Sequence, residues 1–389
     1  MTEKLYDRDS HLFSFRARVT GCEPAKDGWA VTLDRTAFFP EGGGQSADTG
    51  TLGEARVSDV RIKNDIIKHY VNQPLPVDAE VTGEVDAEQR LRRMQNHSGE
   101  HVLSGLVHRT FGYENVGFHM GQDCMTIDFG GELTAEDLEK LEREANAVIR
   151  ENRPIRAWYP ESEELTALDY RSKKELSGAV RLVEVKGVDL CACCAPHVSR
   201  TGEIGLLKIL SAERHRGGMR LEVLCGLDAW EDYARRLEVA TEVSRLLSVP
   251  REKIAGGVER LLAERDRQKE RIAALSLELA RRMAEELGTT EGSHCVFDTV
   301  LDEVALRELT NLLAERCGGL AAVFSGSEQE GWRYIIASRR HDLRALTKSI
   351  NAAVNGRGGG SSLMLQGRCA GAEEQLRSAV NGLCLDKIE

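Results

Sequence analysis

Two short segments hold the residues with the most obvious chemistry. His97 and His101, in the run His97-Ser98-Gly99-Glu100-His101, stand four positions apart, and Cys193 and His197, in Cys193-Cys194-Ala195-Pro196-His197, repeat the spacing. On a helix, i and i+4 share a face, and a thiolate plus a third imidazole from a second segment complete a ligand set suited to zinc. One Zn2+ ion is the economical reading of the two motifs together. Either motif alone fits a solvated helix face equally well. Cys191 and Cys194 crowd beside Cys193, where thiolates suit a soft metal. Glu100 puts a carboxylate near the face of His97, either as a general base or substrate-ammonium partner, or as a solvated group or an orienter of a ligand.

The elements that position these residues can be read from periodicity. Residues 14–19, 29–33, 55–62, 66–71 and 80–85 are β-rich and separated by Gly, Asp, Asn and Pro, which predicts a small N-terminal β-barrel. Within it lies Thr36-Ala37-Phe38-Phe39-Pro40-Glu41-Gly42-Gly43-Gly44-Gln45, whose three glycines permit positive φ and close approach of the backbone to a partner. Residues 87–110 read as the helix carrying both histidines, and 135–151 as an amphipathic helix with Thr134 as N-cap. Strands at 180–185 and 204–210 bracket the Cys motif. Residues 227–287 are strongly helical, with Leu261, Ile272, Leu275, Leu279 and Met283 on an apolar stripe and one break at Pro250. That stripe fits a dimerising coiled coil and an intramolecular hairpin equally well. The remainder alternates, with helices at 303–316 and 342–354, strands at 320–325 and 334–338, and the run Gly356-Arg357-Gly358-Gly359-Gly360-Ser361. The expected class is α+β: a barrel domain (1–88), an α+β zinc-containing domain (89–227), a helical stalk (228–288) and a C-terminal α/β domain (289–389).

The 389 residues, 41% hydrophobic and 30% charged, suit a globular protein of several domains. No apolar leader and no run of eighteen apolar residues occurs, so a cytoplasmic protein without membrane association is expected. Its 10 cysteines are then reduced thiols; Cys22, Cys225, Cys295, Cys317 and Cys384 read as packing residues. A net charge of −11 argues against wholesale coating by nucleic acid but allows a basic face. Three basic clusters flank the metal motifs: Arg90, Arg92 and Arg93; Arg171, Lys173 and Lys174; and Arg214, His215, Arg216 and Arg220. Each is either solvated surface or a dock for an anionic substrate.

Taken with their surroundings, these motifs resemble the editing half of alanyl-tRNA synthetase and the AlaX proteins that hydrolyse misacylated tRNA. The resemblance rests on residues 33–45, on Val198-Ser199-Arg200-Thr201-Gly202-Glu203-Ile204-Gly205 after His197, and on Gly356 to Ser361 with Gln366-Gly367, similar to the synthetase C-terminal domain and the long AlaX forms. It implies zinc held by His97, His101, Cys193 and His197, and a hydroxyl-sensing role for Thr36. It also implies a C-terminal half that aids tRNA binding and homodimerisation. Gln45 is expected to shape the amino-acid pocket with Thr36. No activation core precedes the barrel in this sequence, so the expectation is an aminoacyl-tRNA hydrolase that corrects tRNA(Ala) charged with Ser or Gly. Ser98 and Pro196 resemble the threonyl editing domain instead and keep Ser-tRNA(Thr) open as substrate. A tRNA-binding protein with a structural zinc is a further reading. His97 to His101 also fits the H-x-x-E-H pattern of inverzincin peptidases, although that leaves Cys193, His197 and the glycine motifs without a role.

Overall fold

Alternation along Ser14–Ala25 turns Phe15, Ala17 and Val19 inward and their neighbours outward. This strand pairs with Gly28–Leu33, which pairs with Ile66–Val71, then Ala55–Lys63, then Gly50–Leu52, then Glu80–Val85, which returns to the first strand. The ring of pairings is closed, leaving no free edge among its strands. Val31, Leu33, Phe38, Leu52, Val57, Val60 and Ile67 fill its interior. The computed structural model describes residues 2–121, 123–172 and 179–383; Lys173, Lys174 and Cys384 lie outside them. Contacts divide the chain into two units, Met1–Ala240 and Thr241–Glu389, and the architecture is mixed α+β with several sheets.

In the first unit the barrel is followed by helix α1, Ala87–Phe111. Asp86 caps its start by accepting from Gln89 N–H, and Gly112, at φ 71°, ends it in the left-handed conformation that favours glycine. Every residue from Met94 to Val107 is buried, so this is a core helix enclosed on all sides. The close fit shows at Gly99, where a β-carbon would come within 2.3 Å of Cys225 Sγ. Around α1 lie a four-stranded antiparallel sheet (Leu207–His215, Gly218–Cys225, Met125–Phe129, Asn115–Met120) and a three-stranded one (Ile155–Trp158, Leu182–Val185, Asp189–Ala192). Helix α2, Ala135–Arg150, carries the expected Thr134 cap as a full capping box with Asp137.

Helices Gly226–Leu247 and Ile254–Leu287 are separated by a 3-10 turn at Arg251–Lys253, just after Pro250. Leu261, Ile272, Leu275 and Leu279 of the apolar stripe are exposed, whereas Ala280 and Ala284 pack against helix Glu303–Ala314. In the second unit a five-stranded sheet has the order His294–Asp298, Ala321–Ser327, Gly331–Ala337, Met364–Cys369, Gly356–Gly360. The glycine-rich run is thus an edge strand. Among the described residues no helix is long and apolar enough to cross a membrane.

Barrel and helix are joined by a buried ion pair. Arg90 donates from Nε and Nη2 to the Asp48 carboxylate and also to the carbonyls of Ser10 and Ala37, while Asp48 accepts from Phe39 N–H. Removing one partner of such a pair leaves a buried charge uncompensated. Asp48→Ala should therefore destabilise the first unit by about 3–5 kcal/mol in urea denaturation, and a loss under about 1 kcal/mol would refute the clamp.

Candidate metal centre

Helix α1 supplies His97 and His101, and the loop leaving strand Asp189–Ala192 supplies Cys193 and His197. The helix pair is 1% and 2% exposed, which removes the reading of a His pair on a solvated face. One potential ligand atom from each of the four residues lies within 4.8 Å of all the others. Cys193 Sγ is 3.6 Å from His97 Nε2 and 3.4 Å from His197 Nε2. A tetrahedral site with metal–nitrogen bonds of about 2.0 Å and a metal–sulfur bond of about 2.3 Å needs such pairs about 3.5 Å apart.

The outward nitrogen of each ring has its own partner. With Nε2 turned to the cluster, Nδ1–H of His97 donates to Gln45 Oε1 (2.9 Å), that of His101 to Asp189 Oδ2 (3.0 Å) and that of His197 to Ser98 Oγ (3.0 Å). Partners of this kind fix the tautomer and orientation of metal-ligating histidines. Arg171 holds Asp189 through Nε and Nη2, and Arg181 donates to the carbonyls of Cys193 and Ala195, pinning the ligand loop.

The electrostatics favour a cation. Burial opposes the Cys193 thiolate, but the surrounding imidazoles of His97 and His197, with hydrogen bonds from His101 and His197, outweigh it and hold the thiol well below its usual range. Burial drives His197 down to about 3, keeping it neutral. At His101 burial again opposes charge, and the bonds to Asp189 and Cys193 with the Glu100 charge overcome it, so a positive charge is stabilised there. The Cys193 thiolate and neutral His197 are the forms a metal requires, and the positive charge favoured at His101 is one that a bound cation would replace. A second cluster, His101, Asp189 and Cys191, shares His101; its carboxylate already carries the Arg171 guanidinium, and burial raises the Cys191 thiol.

Glu100 is buried, its Oε1 accepting from Ser104 Oγ and Asn115 Nδ2, with Oε2 3.8 Å from His101 Nε2. It is therefore neither solvated nor remote. Gln45 reaches the cluster through His97, and its Nε2 is buried with no hydrogen-bond partner among the described residues. The turn before it is close-fitted: Gly44, at φ +85°, leaves no room for a β-carbon, which would meet Phe118 Cδ1 at 2.7 Å. Thr36 is wholly buried in the barrel. His69 Nδ1–H donates to Val31 O, so His69 Nε2 accepts from the Thr36 hydroxyl, which in turn accepts from Phe38 N–H.

Several groups at the site were missed by sequence reading: Asp189, Ser98 as partner of His197, Arg171 as a tether, Arg181 on the ligand loop, and Ser104 and Asn115 beside Glu100. Only the position of Asp189, two before Cys191, hinted at a role. The basic clusters also differ from a free docking surface. Arg90 is buried with Asp48, Arg92 binds Glu88, Asp228 and Glu231, Arg171 binds Asp189, Arg214 binds Glu132 and Arg220 binds Asp128. Carboxylates, most of them distant in sequence, pair with these five arginines.

Residues 180–221, which include Cys193 and His197, match the family described as the threonyl and alanyl tRNA synthetase second additional domain. The chain is 30% identical to an alanine–tRNA ligase of Ignicoccus hospitalis over 92% of its own length and 40% of that ligase. It is 33% identical to that of Pyrobaculum neutrophilum over 97% of itself and 44% of the ligase. The corresponding values for Pyrococcus abyssi are 30%, 97% and 43%. The chain thus spans less than half the length of these relatives.

His69 provides a pH test of the barrel interior. Burial pushes it down to about 4 from an ordinary 6.5, so the unfolded chain binds the extra proton as pH falls. The neutral ring's stabilisation is fully present above pH 6.5 and is lost towards pH 4, a contribution of about 3 kcal/mol. Wild type should lose that much more stability than His69→Gln between pH 7 and pH 4 in urea denaturation; parallel pH profiles would rule this out.

Proposed function

Because this AlaX-like chain resembles the editing portion of alanyl-tRNA synthetase, we propose that it is a zinc-dependent deacylase. It hydrolyses the ester of tRNA(Ala) mischarged with serine, and secondarily of tRNA(Ala) carrying glycine. The observation that carries this reading is the four-donor cluster, with each histidine oriented by its own partner. The donor set, its separations and its preference for positive charge fit Zn2+ at His97, His101, Cys193 and His197. When bound, zinc supplies Lewis acidity and a fixed positive charge.

The chain's own groups supply the rest. Water attacks the ester carbonyl, the bond to the ribose oxygen breaks, and the amino acid and free tRNA leave. Glu100 takes the water proton on Oε2 and returns it to the departing ribose oxygen, while Ser104 and Asn115 hold its other oxygen. Gln45 presents its unpaired Nε2–H to a substrate acceptor. The Thr36 hydroxyl proton is committed to His69, so Thr36 can meet a serine hydroxyl only as an acceptor. A pocket built to pair with that hydroxyl rejects alanine, because an unpaired buried group is left behind.

In the second unit, Arg333, Arg368 and Arg357 are exposed cross-strand neighbours on adjacent strands. Like charges placed opposite one another are unfavourable, and a phosphate backbone relieves them, which supports RNA binding. Four protein ligands also suit a structural zinc, and the matching family is shared with threonyl synthetases, so one assay should separate three readings.

Purified zinc-loaded protein should clear Ser-tRNA(Ala), and more slowly Gly-tRNA(Ala), while sparing Ala-tRNA(Ala). Loss from Ser-tRNA(Thr) alone would move the substrate to threonine tRNA, and tRNA binding without any hydrolysis would leave a binding protein with a structural ion. His97→Ala should lose both zinc and activity. Glu100→Gln should keep its zinc and lose about 10²–10⁴-fold in turnover; unchanged turnover removes Glu100 from the chemistry.

A further inference from the structure

Three arginines stand near the start of α1, and the fold neutralises two. Arg90 is consumed by Asp48 and two carbonyls, and Arg92 by Glu88, Asp228 and Glu231. Arg93 donates Nη1–H to Ala47 O at 2.6 Å, and its one ion-pair contact among the described residues is Asp48 Oδ1 at 3.7 Å. That carboxylate is already saturated by Arg90, so two guanidinium groups share one anion and a positive charge is left over. It is held under cover, the Arg93 side chain being 16% exposed. Burial pushes the guanidinium down, the Arg90 charge adds to this, and Asp48 and the more weakly acting Asp86 oppose it only in part; an incoming anion relieves both costs.

Arg93 lines a groove of about 360 Å³. One wall is the α1 face bearing Gln89, Arg93 and Asn96; the other holds Met120 and Cys124, and Ser46 links it to Gln45, the partner of His97. Arg93 precedes His97 by four residues on one helix face, about 6 Å along the axis. We propose that this groove takes the terminal nucleotide of the RNA, with its 5′-phosphate on the Arg93 guanidinium and its ribose ester directed to the metal centre.

The planar fork of Arg93 suits a phosphate. The polarizable side chains of Met120 and Cys124 offer a surface to the base. Asp228, also in the lining, is bound by Arg92 and Asn96, and exposed Asp123 at the rim disfavours a second phosphate, so the groove accepts one. This assignment rests on reading the metal cluster as the deacylation centre, but its test does not need turnover.

Calorimetry on the full-length zinc-loaded protein would compare adenosine 5′-monophosphate, adenosine and inorganic phosphate. The monophosphate should bind about tenfold more tightly than either, as expected for a charged hydrogen bond. Arg93→Gln and Ser46→Glu should each abolish that advantage, and Arg93→Lys should keep part of it. For a mischarged minihelix, Arg93→Gln should raise KM about tenfold and leave kcat within about twofold. Equal binding of monophosphate and adenosine to wild type, or an advantage that survives both Arg93→Gln and Ser46→Glu, overturns the proposal. Inorganic phosphate binding as tightly as the monophosphate also overturns it, marking a free-anion site. If the monophosphate advantage depends on Arg93 but no aminoacyl-RNA is hydrolysed, the nucleotide groove stands and the deacylase reading fails.

Discussion

A helix buried without a break from Met94 to Val107 cannot leave a polar side chain there to water, and this constraint on α1 organises the first unit. Each polar group between Arg90 and Ser104 must find its partner on another element or one turn away. Arg90 finds Asp48, Gln95 finds the Glu203 carbonyl and Leu227 N–H, and Asn96 finds Asp228 and Cys225 N–H. His97 finds Gln45, Ser98 finds His197, Glu100 finds Ser104 and Asn115, and His101 finds Asp189. Satisfying the helix and assembling the metal centre are therefore one problem. The same hydrogen bonds that allow the polar residues to be buried aim three imidazoles at one point.

Charge follows the same logic. In a chain of net charge −11, most arginines beside the centre are matched by carboxylates from other segments, and local neutrality is restored wherever burial makes an unpaired ion costly. The places where matching fails are informative. The cluster itself favours a cation, and the groove beside it keeps one guanidinium without a full partner. These opposite imbalances lie one helical turn apart, an arrangement suited to a substrate with an ester at one end and a phosphate nearby.

Much of this was legible in the chain. Period-two alternation marks the barrel strands, and the capping residues Asp86 and Thr134 with Gly112 mark helix ends, because these signals act within a few residues. The His97/His101 spacing exposes half of a ligand set because i, i+4 geometry on a helix is local, and Cys193 and His197 stand close together in one loop. The strands Asn115–Met120, Met125–Phe129, Asp189–Ala192 and Gly218–Cys225 were not anticipated. Short strands between turns owe their pairing to distant partners.

What the sequence by itself determined is the long helices and most strands of the barrel, the four candidate ligands and the glycine-rich turn that must approach something closely. Each depends on backbone preferences or on spacings within one element. Only the tertiary structure decided which partner each polar group meets. Gln45, Asp189 and Ser98 became the outer support of the histidines, Arg171 a tether in place of a dock, and Arg93 an arginine left without a full partner. Those outcomes depend on burial and on charges brought together from residues up to a hundred or more positions apart, and neither quantity exists until the chain has closed on itself.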